Sequence, residues 1–197
     1  QNFVQRSPLC PINTLMTHGF ILSKWGAVSK DMDYEGIVRE MRCAFACGSG
    51  MVELYCDYEL MDSIRDANGN AGALWADLAE CMRWQKRMER VLPDVHWVGG
   101  NPWDGKQTEI YGWAAWAGGA CTLALRNGDV KPRTITLTLR EALDIPAHVK
   151  CTVKLKSSFS RQTAPQGLPV DKDVDIDTPL TINMAASSLF VADGIYK

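Results

Sequence analysis

No stretch of this 197-residue chain stays apolar for the roughly 20 residues that a membrane-spanning helix requires. A membrane span is therefore not expected. A basic stripe is also missing. The 21 Lys and Arg are interspersed with 23 Asp and Glu for a net charge of −2, which argues against nucleic acid as a partner. Histidine is scarce, and His18, His96 and His148 stand singly. Cys43 and Cys47 lie one helical turn apart, yet no second Cys or His pair completes a zinc set. They read as small buried side chains, so no metal site is expected, and no cofactor is implied. The cysteine count of seven is odd and too sparse for a disulfide scaffold. The chain opens on Gln1 without a basic n-region or an apolar h-region, so the expectation is that any signal peptide has already been removed.

Tryptophan, by contrast, is concentrated. Five of the seven lie between Trp84 and Trp116, where an Ala-, Met-, Arg- and Glu-rich helix gives way to short β-like runs broken by glycine. Aromatics at such a seam either cement two layers or offer flat faces to a ligand such as a sugar.

The pattern divides into three blocks. In the first, Thr14–Leu22 reads as a buried strand and 31–47 as a helix capped by Asp31 or Asp33, with Tyr34, Ile37, Val38, Met41, Ala44 and Phe45 at helical spacing. Gly48-Ser-Gly50 ends that helix and Met51–Cys56 is a second strand, a βαβ-like unit that favours parallel pairing. In the second block, a helix from Leu74 to Leu92 is stopped by Pro93. Its expected apolar stripe is Leu74, Trp75, Leu78, Ala79, Met82, Met88, Val91 and Leu92, with Asp77 and Glu80 on the other faces. Trp75 and Trp84 are expected in the core.

The third block is β-rich. Thr134-Ile-Thr-Leu-Thr-Leu139 alternates without error, as a half-buried antiparallel strand does. Val149–Lys156, Leu180–Met184 and Leu189–Ala192 continue the theme, while 140–144 reads as a short helical turn. Trp113 and Trp116 are three apart, so on a strand they face opposite sides and weld the helical layer to a β-layer. Asp171, Asp173, Asp175 and Asp177 alternate with other residues and read as a solvated edge strand rather than a calcium loop, because no glycine turn interrupts them.

In this order the chain resembles the C-terminal part of a glycoside hydrolase of the melibiase-type alpha-galactosidase clan, including bacterial relatives labelled enterotoxins. The resemblance is carried by 96–105 (HWVGGNPWDG), 110–116 (IYGWAAW), 123–127 (LALRN) and 131–143 (KPRTITLTLREAL), joined to the late 189–192 (LFVA). It implies an α+β two-domain chain: residues 1–105 as the C-terminal remnant of a (β/α)8 barrel, and 106–197 as an antiparallel β-sandwich. It also implies an extracytoplasmic location and carbohydrate as the partner, with the rest of the parent barrel or a second subunit covering the open layer. A complete barrel takes about 250 residues, so at most two or three βα units fit here. Family enzymes carry their nucleophile and acid/base aspartates on earlier strands, and neither is placed on a residue of this chain.

Ligand groups on a barrel sit at the C-terminal ends of its strands. That rule selects Lys24 and Trp25 after the first strand and Tyr55 and Asp57 at the second; Trp103 is the best-placed aromatic in the tryptophan segment. Glu53 and Asp57 are four apart, about 13 Å on a strand, which is too wide for paired glycosidase carboxylates. The functional expectation is the substrate-wall portion of a carbohydrate-active hydrolase, inactive by itself. A non-catalytic carbohydrate-binding or structural module is the alternative.

Overall fold

The computed structural model describes residues 10–23, 33–100 and 109–196. Lys24, Trp25 and Trp103 lie outside them. Strand β1 (Met16–Leu22) and strand β2 (Met51–Cys56) pair in parallel, with Met16 opposite Met51 and Leu22 opposite Cys56. Between them runs helix α1 (Tyr34–Ala46). Of the two expected caps, Asp33 is the one used: its carboxylate accepts from Gly36 N at 2.7 Å. Gly48 then turns the chain at φ +72°, where a Cβ would press on Val95.

Helix α2 (Tyr58–Ser63) leads into helix α3 (Ala73–Arg87), followed by a 3-10 turn at Leu92–Asp94. The long helix thus ends earlier than its composition predicts, and Pro93 sits inside the following turn. Its buried stripe is Leu74, Asp77, Leu78, Cys81 and Trp84. Trp75 is 41% exposed and Met82 56% exposed, contrary to the expected stripe. A helix face follows i, i+3, i+4, i+7; from Leu74 that progression runs through Asp77, not Trp75. The Trp75 indole instead donates to Asp62 at 2.6 Å.

The rest of the chain is antiparallel. Strands β3 (His96–Gly99), β4 (Tyr111–Ala117), β5 (Ala120–Asn127), β7 (Thr152–Ser157), β8 (Asp173–Asp175) and β10 (Ser188–Tyr196) form a sheet in the order β3-β4-β5-β10-β7-β8. This sheet already begins at His96. Strands β6 (Arg133–Leu137) and β9 (Leu180–Met184) form a separate ladder. Helix α4 (Leu139–Leu143) follows β6, started by a Thr138/Glu141 capping box that takes Thr138 out of the strand. The molecule is therefore mixed α/β with antiparallel sheets. No helix among the described residues is long and apolar enough to cross a membrane.

The six-stranded sheet is covered on both faces. Leu123, Leu125, Phe190, Val153 and Leu155 point into a core shared with Leu137, Leu180, Ile182 and Leu143. From the opposite face Ala115, Ala124 and Val191 join Ile37, Met41, Phe45, Leu78 and Trp84 of the helical layer. Trp113 packs on the helical side and Trp116 on the other, as their spacing predicts. Burial on both faces leaves β5 almost continuously buried, unusual for an antiparallel strand. Close strand approach is also fixed: a Cβ on Gly112 would collide with the Ala124 carbonyl oxygen.

The acidic run is an edge, with β8 the last strand of the sheet. Only 173–175 is strand, and the Asp173 and Asp175 side chains are exposed about buried Val174. Asp177 is not solvated alone: Arg140 and Lys150 pair with it at 2.5 and 3.1 Å and hold its carboxyl well below the usual range.

Leu125→Ala should remove about 2–5 kcal/mol, because it opens a cavity in a strand packed on both faces. Urea unfolding checks this, and a loss below about 1 kcal/mol would mean that the sheet is not the structural centre.

Candidate functional site

Two regions bear on function. The first is the end of the parallel pair, where two of the expected sugar contacts are described. Tyr55 is 49% exposed and its hydroxyl donates to Glu53 at 2.7 Å. That hydrogen bond to a carboxylate raises the phenol's pKa. Asp57 follows β2 directly; its N–H donates to the Leu22 carbonyl at 2.7 Å, tying the two strand ends together. Its carboxylate accepts from Glu59 N at 3.0 Å as the cap of α2. The structure thus brings Tyr55 and Asp57 to the C-terminal end of β2, while giving Asp57 a capping role that the sequence did not suggest.

The second face of the same pair is exposed and mixed, with Glu53 between Met51 and Tyr55. Phe20, Leu22, Val52, Leu54 and Cys56 turn toward the helices. Met16, Ile21, Met51 and Tyr55 turn away from them, with Met51 58% exposed. Among the described residues neither strand has a second neighbour.

The second region is polar and sits where the helical layer meets the sheet. Asp77 is only 4% exposed. Arg161 donates to both of its carboxylate oxygens at 2.6 and 2.7 Å, Arg42 approaches at 3.4 Å, and the Tyr34 hydroxyl donates to it. Burial, then the bond to Asp77, pushes the Tyr34 phenol up to about 12. Arg42 also donates to the Ser160 carbonyl at 2.8 Å, and Glu80 accepts from Ser160 N at 2.7 Å. Arg161 holds a left-handed backbone at φ 56°, a strained conformation that the two charge-assisted hydrogen bonds from its Nη2 to Asp77 offset.

This constellation escaped the sequence reading. Asp77 had a legible signal, since it lies between Leu74 and Cys81 on one helical face. Its partners had none: Arg161 is 84 residues away. A cleft of about 370 Å³ opens beside the network, between α1, the 161–166 segment and the turn joining β9 to β10.

Cys43, Cys47, Cys81 and Cys121 are buried and unbridged. Burial pushes the thiols of Cys81 and Cys121 up to about 12. Among the described residues no His, Cys, Asp and Glu group is arranged to hold a metal.

No protein-family model matches this sequence, and no curated protein matches it. Solved structures do. The alpha-galactosidase from Saccharomyces cerevisiae with raffinose superposes with a TM-score of 0.54 at 10% identity, over 92% of this chain and 46% of that one. An Anoxybacillus alpha-amylase described as a new glycosyl hydrolase subclass gives 0.51 at 10% identity, over 83% and 33%. The likeness is one of fold. The chain spans less than half the length of either structure.

Asp77→Ala should cost about 3–5 kcal/mol, because it strands two arginines, one of them buried. Asp57→Ala should cost only about 1 kcal/mol, the worth of a helix cap. Chemical denaturation of both variants checks the contrast, and equal losses would remove Asp77 from its central role. The raised Tyr34 pKa has a definite sign: the stability it confers is whole below about pH 10 and drains away as pH rises toward 12. Tyr34→Phe should therefore flatten the fall in stability over that window, and an unchanged slope would exclude Tyr34 as its source.

Proposed function

We propose that this chain is the C-terminal portion of an alpha-galactosidase-like glycoside hydrolase, comprising the last βα units of a (β/α)8 barrel (within 1–105) and an antiparallel sandwich (106–197) whose sheet takes its edge strand β3 from His96–Gly99. One observation carries the reading. A parallel β-α-β pair turns Met16, Ile21, Met51 and Tyr55, each 40% exposed or more, away from the helices. Parallel strands are otherwise found buried on both faces. A barrel supplies that cover, because its strands point alternate side chains into a packed interior. The fold-level likeness to an alpha-galactosidase and an alpha-amylase supports the same reading.

On this view Tyr55 and Asp57, with Lys24 and Trp25 after β1, form part of the substrate wall at the strand ends, and Trp103 contributes from the connector. The acid and nucleophile come from barrel strands outside this chain, so this portion binds and shapes without cleaving. The sandwich buttresses the helical layer through the Asp77 network. An extracytoplasmic location belongs to the same proposal.

Two measurements test it together. The reading frame containing this chain should encode roughly 250 further residues upstream, enough to complete a barrel. The whole polypeptide should hydrolyse an aryl α-galactoside, and residues 1–197 alone should not. A frame that opens at Gln1, or a whole polypeptide inert toward aryl glycosides, would overturn the proposal. Tryptophan quenching of the isolated chain by sugars, without hydrolysis by the whole protein, would favour a binding module instead.

A further inference from the structure

The cleft beside the Asp77 network has an uneven charge balance. Its wall carries Arg39, Arg42 and Arg161 but one carboxylate, Glu35. The carboxylates that answer these arginines lie elsewhere: Asp77 and Glu80 face a separate pocket on the far side of Arg161. Glu40 accepts from Arg126 at 2.8 Å, and Arg39 reaches it only through Nε at 3.3 Å. The two terminal nitrogens of Arg39 make no hydrogen bond among the described residues, and Glu35 stands 4.0 Å from Arg161. Arg42 is buried and its Nε likewise has no acceptor. The positive ends of several ion pairs are thus turned to one concavity while the negative ends stand behind it.

The remaining wall is suited to hydroxyl groups. Asn183 uses its amide oxygen to accept from Thr134, leaving its amide nitrogen as a donor. Gln166 and Thr163 line the same space, and their side chains make no hydrogen bond among the described residues. Val38 and Leu189 supply an apolar floor. At about 370 Å³ the cleft lies within the size range of small-molecule sites.

We infer that this cleft binds a small hydroxylated carboxylate of the size of a hexuronic acid, its carboxylate meeting Arg39 and the outer edge of Arg161, its hydroxyls meeting Asn183, Gln166 and Thr163. A carboxylate suits the guanidinium fork, which presents paired donors in one plane. The site is formed by the helical layer and the sheet together and does not rest on the barrel reading.

Isothermal titration of the chain with galacturonate, galactose and acetate tests the inference at low ionic strength. Galacturonate should bind at least ten-fold more tightly than either galactose or acetate, because only it supplies both chemistries. Arg39→Gln should weaken galacturonate about ten-fold with the thermal midpoint unchanged, since Arg39 is partly exposed and its ion pair with Glu40 is long. Gln166→Ala, at an exposed position, should weaken it several-fold and leave acetate unaffected. Absence of galacturonate binding, or binding that ignores both substitutions, would overturn the inference. Equal affinity for acetate and galacturonate would reduce the cleft to a simple anion site and overturn it as well.

Discussion

The Asp77 carboxylate lies out of water between the helices and the sheet, and the way these layers meet depends on it. An unpaired buried carboxylate is costly, so the network must close around it: Arg161 from the 161–166 segment, Arg42 and Tyr34 from α1. Because these groups come from three separate parts of the chain, satisfying Asp77 fixes the angle and separation of α1, α3 and the sheet at one stroke. Such networks do not guarantee net stability, since apolar replacements often serve as well. Their contribution is to make one arrangement of layers distinctly better than its neighbours. Two lesser polar clamps act with it: Asp193 receives Trp84 and Arg87 at 2.7 and 2.8 Å, and Arg126 donates to Glu40 and Cys43.

With the layers so fixed, the six-stranded sheet is buried on both faces and becomes the centre of the molecule. Its tryptophans divide by side. Trp97 stacks on Tyr111 and meets Trp113 edge-on, on the helical side, while Trp116 packs with Tyr196 on the other. Trp113 and Trp116 thus pack into opposite layers. The parallel pair β1–β2 differs, with one face in the core and the other about half exposed.

Much of this was legible from local pattern. Strand β2 and the Met51–Cys56 boundaries, an aspartate cap at 31 or 33, the parallel pairing and the opposed faces of Trp113 and Trp116 follow from period and punctuation, which act over a few residues. Trp75 and Met82 misled because hydrophobicity was counted where phase should have been followed. An exposed tryptophan at a helix start can be held by a single bond to Asp62. Arg161, Ser160 and the cleft beside Arg161 could not be read, since their meaning lies in partners brought together only by the fold. Asp57 was legible as a polar residue at a strand end, yet its capping bond required the next helix to be in place.

We propose that β1 and β2 belong to a larger parallel sheet, completed by residues outside this chain. Amide hydrogen exchange addresses it directly, comparing residues 1–197 alone with the same residues inside the longer protein. The account predicts that the amides of β5 and β10 are equally protected in both, whereas β1 and β2 exchange far faster in the isolated chain and become protected in the whole protein. Equal, strong protection of β1 and β2 in the isolated chain would show the pair to be complete as it stands and would contradict the account.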